Sequence, residues 1–111
     1  MNPHRSPGAF VDIHCHGGAG VEINGETDPT PALELHARHG TGALVASLVS
    51  APIDRLEAQL SALAAYRRAR PDTILAGVHL EGPFLAASHR GAHDPAPVSY
   101  THLTLPTILL V

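Results

Sequence analysis

Residues 43–49, Ala-Leu-Val-Ala-Ser-Leu-Val, form a nearly continuous apolar run near the middle of the chain. Such a run is typical of a strand that is covered on both faces within a parallel sheet. Helical patterns flank it at 30–40 and 52–70, and two further apolar runs lie outside these at 9–13 and 73–80. The order strand, helix, strand, helix, strand predicts right-handed βαβ units and a parallel α/β sheet.

Capping signals and glycines predict where the helices and loops lie. Thr30 and Pro31 indicate an N-cap followed by the first helical residue, and Gly40 indicates the end of that helix. Pro71 ends the second helix. Its apolar side chains recur at helical spacing: Ile53, Leu56, Leu60 and Leu63. Residues 17–20, which are rich in glycine, and residues 21–29 are predicted to be loops without regular structure.

The composition excludes several classes of protein. The chain has 111 residues, enough for one small domain, and its 44% hydrophobic and 15% charged residues are typical of a globular protein. A net charge of −3 gives no basic surface for nucleic acid. Without a signal-peptide pattern or an apolar run of membrane length, we expect no membrane partner and a cytoplasmic location. A single cysteine cannot form an internal disulfide, whereas nine histidines are unusual for this length.

The first group of chemically active residues ends the first strand. In an extended chain Asp12, His14 and His16 project to one side, and Ile13 and Cys15 project to the other. Two imidazoles one pleat apart can reach one divalent ion, and the carboxyl end of a strand is where barrel enzymes place their sites. We interpret the pair as metal ligands, with surface or core histidines as the alternative. Cys15 is predicted to be a small packed side chain.

The second group ends the third strand. Glu81 closes an apolar run, and a carboxylate inside a barrel is costly unless a cation or metal compensates it. A solvated loop carboxylate is the alternative. His79 either donates a hydrogen bond to a metal ligand from behind or is a satisfied interior histidine. His36 and His39 fall on a helix away from this edge, and no function is assigned to them.

Residues 89–94, His-Arg-Gly-Ala-His-Asp, follow the third strand as a basic loop that contains glycine. Side chains and backbone N–H groups of such a loop can bind an anionic substrate. An ordinary polar loop is the alternative.

Three segments together resemble the N-acetylglucosamine-6-phosphate deacetylases of the amidohydrolase superfamily. They are PGAFVDIHCHGGAG at 7–20, GALVASLVSAP at 42–52 and GVHLEGPFLAASHRGAHDP at 77–95. The DxHxHG element occurs in many amidohydrolases, whereas HLEGPF followed by GAH at this distance is highly specific to the deacetylases. The resemblance implies a TIM-type (β/α)₈ barrel, of which about three βα units are present in this chain. It also implies a β-sandwich domain, of which residues 1–8 would be the connecting loop.

The implied activity is metal-dependent hydrolysis of the acetamide of N-acetylglucosamine 6-phosphate, which gives glucosamine 6-phosphate and acetate. Glu81 would be the central metal ligand, and His14 and His16 would bind a second ion. The resemblance therefore favours a dinuclear site over a single ion, with zinc as the expected metal. Ala92 and His93 match positions that contact the phosphorylated amino sugar. A homodimer is the assembly that the resemblance suggests for the full-length enzyme.

The resemblance also indicates what this chain lacks. The catalytic aspartate and two further metal-binding histidines of the family lie on later strands, so no catalytic residue is expected here and the chain alone should be inactive. Two alternatives stay open. One is an amidohydrolase acting on a cyclic amide, although those enzymes use a carboxylated lysine and this chain contains no lysine. The other is a non-catalytic truncated remnant.

The character of the sequence changes after residue 97. Read back into codons, residues 98–107 match a transposase mosaic-end adapter that is used in sequencing libraries. We therefore expect residues 98–111 to be a translated adapter and not native sequence, with a genuine apolar strand as the alternative. Residues 9–97 are then predicted to be the N-terminal part of the barrel.

Overall fold

The computed structural model describes residues 8–82 and the backbone of Ile108–Leu110. Within these ranges six strands and two helices form. In chain order they are β1 (Phe10–Cys15), β2 (Gly17–Gly18), β3 (Val21–Glu22), α1 (Thr30–Arg38), β4 (Thr41–Leu48), α2 (Ile53–Ala69), β5 (Leu75–Leu80) and β6 (Ile108–Leu110).

Four of the strands form one sheet in the order β1-β4-β5-β6. β1 runs parallel to β4, with Asp12 opposite Leu44, and β4 runs parallel to β5, with Leu48 opposite Leu80. β6 pairs antiparallel with β5. The prediction of parallel strands joined by helices is confirmed for β1, β4 and β5, which puts their carboxyl ends at one edge of the sheet.

β4 is the most deeply buried strand of the described part. Seven of its eight residues are buried, as expected for an apolar strand between two parallel neighbours. Side chains from both the sheet and the helices form the core around it. Its largest fully buried side chains are Ile23, Leu44, Leu63, Ile74, Leu75 and Val78. Full burial of one such side chain contributes about 2 kcal/mol to folding.

The two helices lie close to their predicted ranges, but the start of α1 differs. Thr30 is its first helical residue, and Pro29 occupies the N-cap position without a side-chain cap. The predicted threonine N-cap is therefore wrong. The Thr30 hydroxyl is engaged elsewhere, because it donates to the Asp28 carboxylate at 2.7 Å and lies 2.7 Å from the Tyr66 hydroxyl. Gly40 follows the helix with φ +99°, which is the left-handed conformation that ends many helices.

The prediction of an unstructured loop after β1 is also wrong. Gly17 and Gly18 pair antiparallel with Glu22 and Val21, forming a small hairpin of β2 and β3. The two residues between them have positive φ, 52° at Ala19 and 76° at Gly20. Positive φ at both central residues is what a tight two-residue hairpin turn requires.

β1 differs from β4 in exposure. Phe10, Val11 and Ile13 are 72%, 67% and 65% exposed, and β1 is one of the two edge strands of the described sheet. Apart from Gly8 and β6, the predicted segments 1–8 and 98–111 lie outside the described residues, so both assignments stay predictions. No helix within the described ranges is long and apolar enough to cross a membrane.

Candidate metal centre

Three side chains converge at the carboxyl edge of the sheet. The Nε2 atoms of His14 and His16 lie 3.0 and 2.9 Å from Oε1 of Glu81. The two Nε2 atoms are 3.2 Å apart. The structure therefore brings together the three residues that the sequence singled out as metal ligands, although they come from opposite sides of β4.

Backbone hydrogen bonds hold Glu81 and His16 in position, and His14 lies within β1. The Glu81 N–H donates to the Leu48 carbonyl at 3.0 Å, which extends the pairing of β4 and β5 by one residue. The His16 carbonyl accepts from the Ile23 N–H at 2.8 Å, which joins His16 to the chain that leaves the hairpin. Because the ligand-bearing backbone is bonded on both sides of the site, the three side chains are presented from ordered elements.

Exposure is unequal across the site. The Glu81 side chain is 13% exposed, whereas the side chains of His14 and His16 are 56% and 46% exposed. A largely buried carboxylate needs a compensating cation or strong hydrogen bonds. Here it faces two imidazole nitrogens, and the imidazoles form the side of the site that solvent reaches.

The donor set fits a divalent transition metal. Two histidine nitrogens and one carboxylate oxygen are ligands that zinc accepts, with bonds of about 2.0–2.2 Å. Tetrahedral bonds of that length separate neighbouring ligand atoms by about 3.3–3.6 Å. The three observed separations of 2.9, 3.0 and 3.2 Å are slightly shorter, so a small outward movement of the side chains would accommodate an ion.

His79 lies beside this group. Its ring centroid is 5.7 Å from that of His14, with the rings edge to face, and its Nδ1 is 3.5 Å from the Ser47 hydroxyl. Its predicted supporting role stays a prediction. Ala92 and His93, the predicted substrate contacts, lie outside the described residues.

Asp12 does not share the side of β1 that His14 and His16 occupy, so that part of the strand prediction is wrong. Its carboxylate groups with the Cys15 thiol and the His36 imidazole, with one ligand atom of each within 4.8 Å of the others. The cause is an irregular register between Asp12 and Cys15, because such irregularities break the strict alternation of side chains. The Asp12 carboxylate also accepts from the His14 N–H at 3.1 Å.

Cys15 is packed, as predicted, at 7% exposure. Burial raises the pKa of its thiol, a hydrogen bond with the Gly17 backbone lowers it, and the nearby charge of Asp12 raises it further. His36 completes this second group, with its Nε2 2.9 Å from the Gly17 carbonyl and 3.4 Å from the Cys15 sulfur.

The position of His36 beside β1 was not predicted from the sequence. The signal that could have found it is helical spacing. His36 stands four residues after Ala32 and three after Leu33, both of which are buried. Residues at those spacings share one face of a helix.

A cavity of about 270 Å³ adjoins the metal centre, with His16 in its wall. Polar side chains line much of the remainder, among them Asn24, Ser47, Arg55 and Gln59. The guanidinium of Arg55 is already engaged, because two of its nitrogens donate to the Glu26 carboxylate at 2.6 and 2.8 Å. That pair lowers the pKa of Glu26.

Known proteins resemble the chain in sequence. It is 37% identical over 90 residues to an N-acetylgalactosamine-6-phosphate deacetylase of Escherichia coli O157:H7, which covers 78% of this chain and 24% of that protein. It is 32% identical over 96 residues to an N-acetylglucosamine-6-phosphate deacetylase of Bos taurus, covering 82% of this chain and 23% of the relative. No family model matches the chain.

Solved structures resemble it as well. The N-acetylglucosamine-6-phosphate deacetylase of Thermotoga maritima superposes with a TM-score of 0.76 at 31% identity, covering 81% of this chain and 24% of that one. A mutant of the Mycobacterium smegmatis enzyme, in complex with N-acetyl-D-glucosamine 6-phosphate, superposes with a TM-score of 0.72 at 43% identity, covering 81% and 23%. The chain thus spans about a quarter of the length of the proteins it matches.

Proposed function

We propose that the full-length protein removes the acetyl group from an N-acetylated hexosamine 6-phosphate. The premise is that this chain belongs to the family of N-acetylglucosamine-6-phosphate deacetylases. Water is consumed, the amide C–N bond breaks, and acetate and the free amino sugar phosphate are the products. The substrate is N-acetylglucosamine 6-phosphate, as the names of most of the quoted relatives suggest. The galactosamine epimer is the second candidate, because the relative with 37% identity carries that name.

The observation that carries the proposal is the convergence of His14, His16 and Glu81. Their three donor atoms lie within 3.2 Å of one another at the carboxyl edge of the sheet. We assign them as ligands of a divalent metal, with zinc favoured by the donor set and a second ion completing a dinuclear site. A metal bound there would lower the pKa of a bound water and polarise the acetamide carbonyl.

The chain's own residues contribute binding and orientation. Glu81 supplies a carboxylate shared between the two imidazoles, and the Leu48 backbone carbonyl holds the adjacent N–H. His79, edge to face against His14, restrains the orientation of that ring. Ala92 and His93 are proposed to contact the sugar phosphate. The acid/base group that protonates the leaving amine comes from another part of the enzyme, so no catalytic residue is assigned here.

The parallel part of the sheet is proposed to be the first part of a (β/α)₈ barrel. A complete barrel needs roughly 250 residues. The exposed apolar side chains Phe10, Val11 and Ile13 on edge strand β1 would be covered by the remaining strands and helices. Without that cover the isolated chain has an open sheet edge, which favours aggregation, and an incomplete site. We therefore expect the 111-residue chain alone to be inactive.

The test is acetate release by the purified full-length enzyme. We expect hydrolysis of N-acetylglucosamine 6-phosphate, loss of that activity after dialysis against a chelator, and its return when zinc is added. The galactosamine epimer, assayed at equal concentration, distinguishes the two sugar candidates. Activity that survives complete metal removal would contradict the metal assignment, and hydrolysis of a cyclic amide in place of both sugars would contradict the substrate class.

A matched pair of variants connects the activity to the assigned residues. His16→Asn should release the metal and lose activity, because the amide is a poor ligand for zinc. His39→Asn changes an exposed histidine just after α1 and should leave both properties unchanged. Equal metal content in the two variants would contradict the assignment of His16.

A further inference from the structure

We infer that His36 is a positioning residue for the metal centre, acting from α1 on the backbone that carries His16. This inference rests on the proposed metal site and goes beyond it, because His36 touches neither Glu81 nor the two histidines assigned as ligands. It acts on the residues on either side of His16. Its Nε2 lies 3.4 Å from the sulfur of Cys15 and 2.9 Å from the carbonyl oxygen of Gly17.

The Gly17 carbonyl determines which ring nitrogen of His36 carries a hydrogen. A carbonyl oxygen only accepts, so Nε2 of His36 must carry the hydrogen that is donated to Gly17. The lone pair of that nitrogen is then unavailable to an ion. Although Asp12, Cys15 and His36 have ligand atoms within 4.8 Å of one another, the bond to Gly17 makes Nε2 of His36, the nitrogen that faces Cys15, a donor and not a metal ligand.

Two separate parts of the structure therefore hold the His16 backbone. From one side, the His16 carbonyl accepts from Ile23, and the hairpin pairs Gly17 with Glu22. From the other side, α1 reaches the next peptide, because His36 donates to the Gly17 carbonyl nineteen residues earlier in the chain. Without the hydrogen bond from His36, α1 no longer fixes the Gly17 carbonyl, and we expect the hairpin to shift relative to the sheet that carries Glu81.

The hairpin is shaped to receive this imidazole. A Cβ added at Gly18 would stand 3.0 Å from Nε2 of His36 and 3.3 Å from Leu35. Gly18 does not have positive φ, so no backbone strain requires a glycine there. The close approach of α1 is the structural reason for the missing side chain.

Metal sites are sensitive to small displacements. Groups that orient ligands from outside the coordination sphere typically change metal affinity by about 10–100-fold when they are removed. We expect an effect of that size from His36, since it sets the position of a ligand-bearing peptide. The hydrogen bond, and not the volume of the ring, is the property that matters.

The experiment compares two substitutions of similar length in the full-length enzyme. Glutamine in His36→Gln can donate to the Gly17 carbonyl, whereas methionine in His36→Met cannot. Zinc affinity is measured by competition with a chromophoric chelator, and the cobalt-substituted enzymes are compared by visible absorption. We expect His36→Met to weaken metal binding by about 10–100-fold and to change the cobalt spectrum. His36→Gln should stay within about threefold of wild type, and His39→Met, the matched control at the exposed end of α1, should match wild type.

Amide hydrogen exchange of the metal-free enzymes provides a readout that does not depend on the metal. We expect faster exchange at Gly17 and Ile23 in His36→Met, and no change in His36→Gln. If wild type binds no metal, the proposed function fails, while the exchange rates still decide the role of His36. Unchanged exchange in His36→Met, or equal metal affinity of the methionine and glutamine variants, would overturn the inference.

A second variant covers the case in which His36→Met does not fold. Gly18→Ala keeps the imidazole but pushes against it, because the new Cβ would meet Nε2 at 3.0 Å. Metal binding should weaken in the same direction as in His36→Met, by a smaller factor. Wild-type affinity together with wild-type exchange in Gly18→Ala would overturn the inference equally.

Discussion

Two groups of metal-binding residue types lie beside β1, and they differ in what already occupies their donor atoms. In the first group, His14, His16 and Glu81 direct three atoms at a common point. In the second group, Asp12, Cys15 and His36 have ligand atoms within 4.8 Å of one another, but the donors of Cys15 and His36 are turned towards the Gly17 carbonyl.

The difference between the two groups shows that proximity of ligand atoms alone does not identify an ion site. A metal needs lone pairs that converge and are not already used by hydrogen bonds of the protein. The second group uses its donors to fix a hairpin, and burial raises the pKa of its thiol, which disfavours the thiolate that a metal requires. The first group offers a carboxylate and two imidazoles to one point. We interpret the first as the site and the second as its support.

The largest effect is expected from exchanging one carboxylate in each group. Glu81→Gln removes the shared anionic ligand and should reduce zinc affinity of the full-length enzyme by at least about 100-fold, beyond the usual effect of an outer partner. Asp12→Asn is the matched change in the second group, and it should leave the zinc stoichiometry unchanged. Metal analysis of both purified variants checks this. A lost zinc in Asp12→Asn would reverse the interpretation of the two groups.

The next largest effect concerns the hairpin that joins the groups. In Gly17→Ala the new Cβ would overlap the Val21 carbonyl oxygen, which is backbone and cannot turn aside. We expect the hairpin to open at a cost of about 3 kcal/mol, a severe case of overpacking. Amide exchange at Ile23 should then rise by about a hundredfold. Gly18→Ala, which meets side-chain atoms, should be milder, and a similar effect in both variants would contradict the hairpin geometry.

A smaller and opposite effect is expected at the turn of the same hairpin. Ala19 has φ 52°, a conformation that costs a residue with a side chain about 1–2 kcal/mol. Ala19→Gly removes that strain, although the more flexible unfolded chain offsets roughly 0.4–1 kcal/mol of the gain. Exchange at Ile23 should slow by a few fold. Faster exchange would show that the turn does not hold Ala19 in a strained conformation.

The smallest effect concerns a carboxylate whose partner is a protein cation. Hydrogen bonds from Arg55 lower the pKa of Glu26 below its usual value, so the ionised form is the one that the folded state favours. The stability from this pair is complete above the usual glutamate pKa and disappears as the pH falls through the lowered value. Because the pair is at the surface, the contribution is small and salt screens it.

Thermal unfolding between pH 3 and 6 compares wild type with Glu26→Gln, and Glu34→Gln on α1 serves as the control. We expect the difference between wild type and Glu26→Gln to shrink as the pH falls, while Glu34→Gln follows wild type throughout. A difference that stays constant with pH would indicate that Glu26 acts by packing. Glu26 faces a guanidinium, whereas Glu81 faces two imidazoles.

The order of the main elements, and the residues that meet at the edge of the sheet, could be predicted from the amino-acid sequence. The apolar run of 43–49 predicted a buried parallel strand because only a strand covered on both faces tolerates so few polar residues. His14, His16 and Glu81 were singled out because each stands where a strand ends, and the carboxyl ends of parallel strands share one edge. Those inferences depend on local periodicity, which the sequence displays directly.

Three features could not be predicted from the sequence, because they depend on how whole elements pack. They are the side that Asp12 faces, the hairpin of residues 17–22, and the contact of His36 with that hairpin. An irregular register in β1 depends on its pairing with β4, which no local pattern in residues 10–16 reveals. The hairpin depends on positive φ at Ala19, a conformation that alanine adopts only when surrounding contacts compensate the strain. His36 meets Gly17 because α1 packs against that hairpin, and a contact across nineteen residues is set by the packing of whole elements.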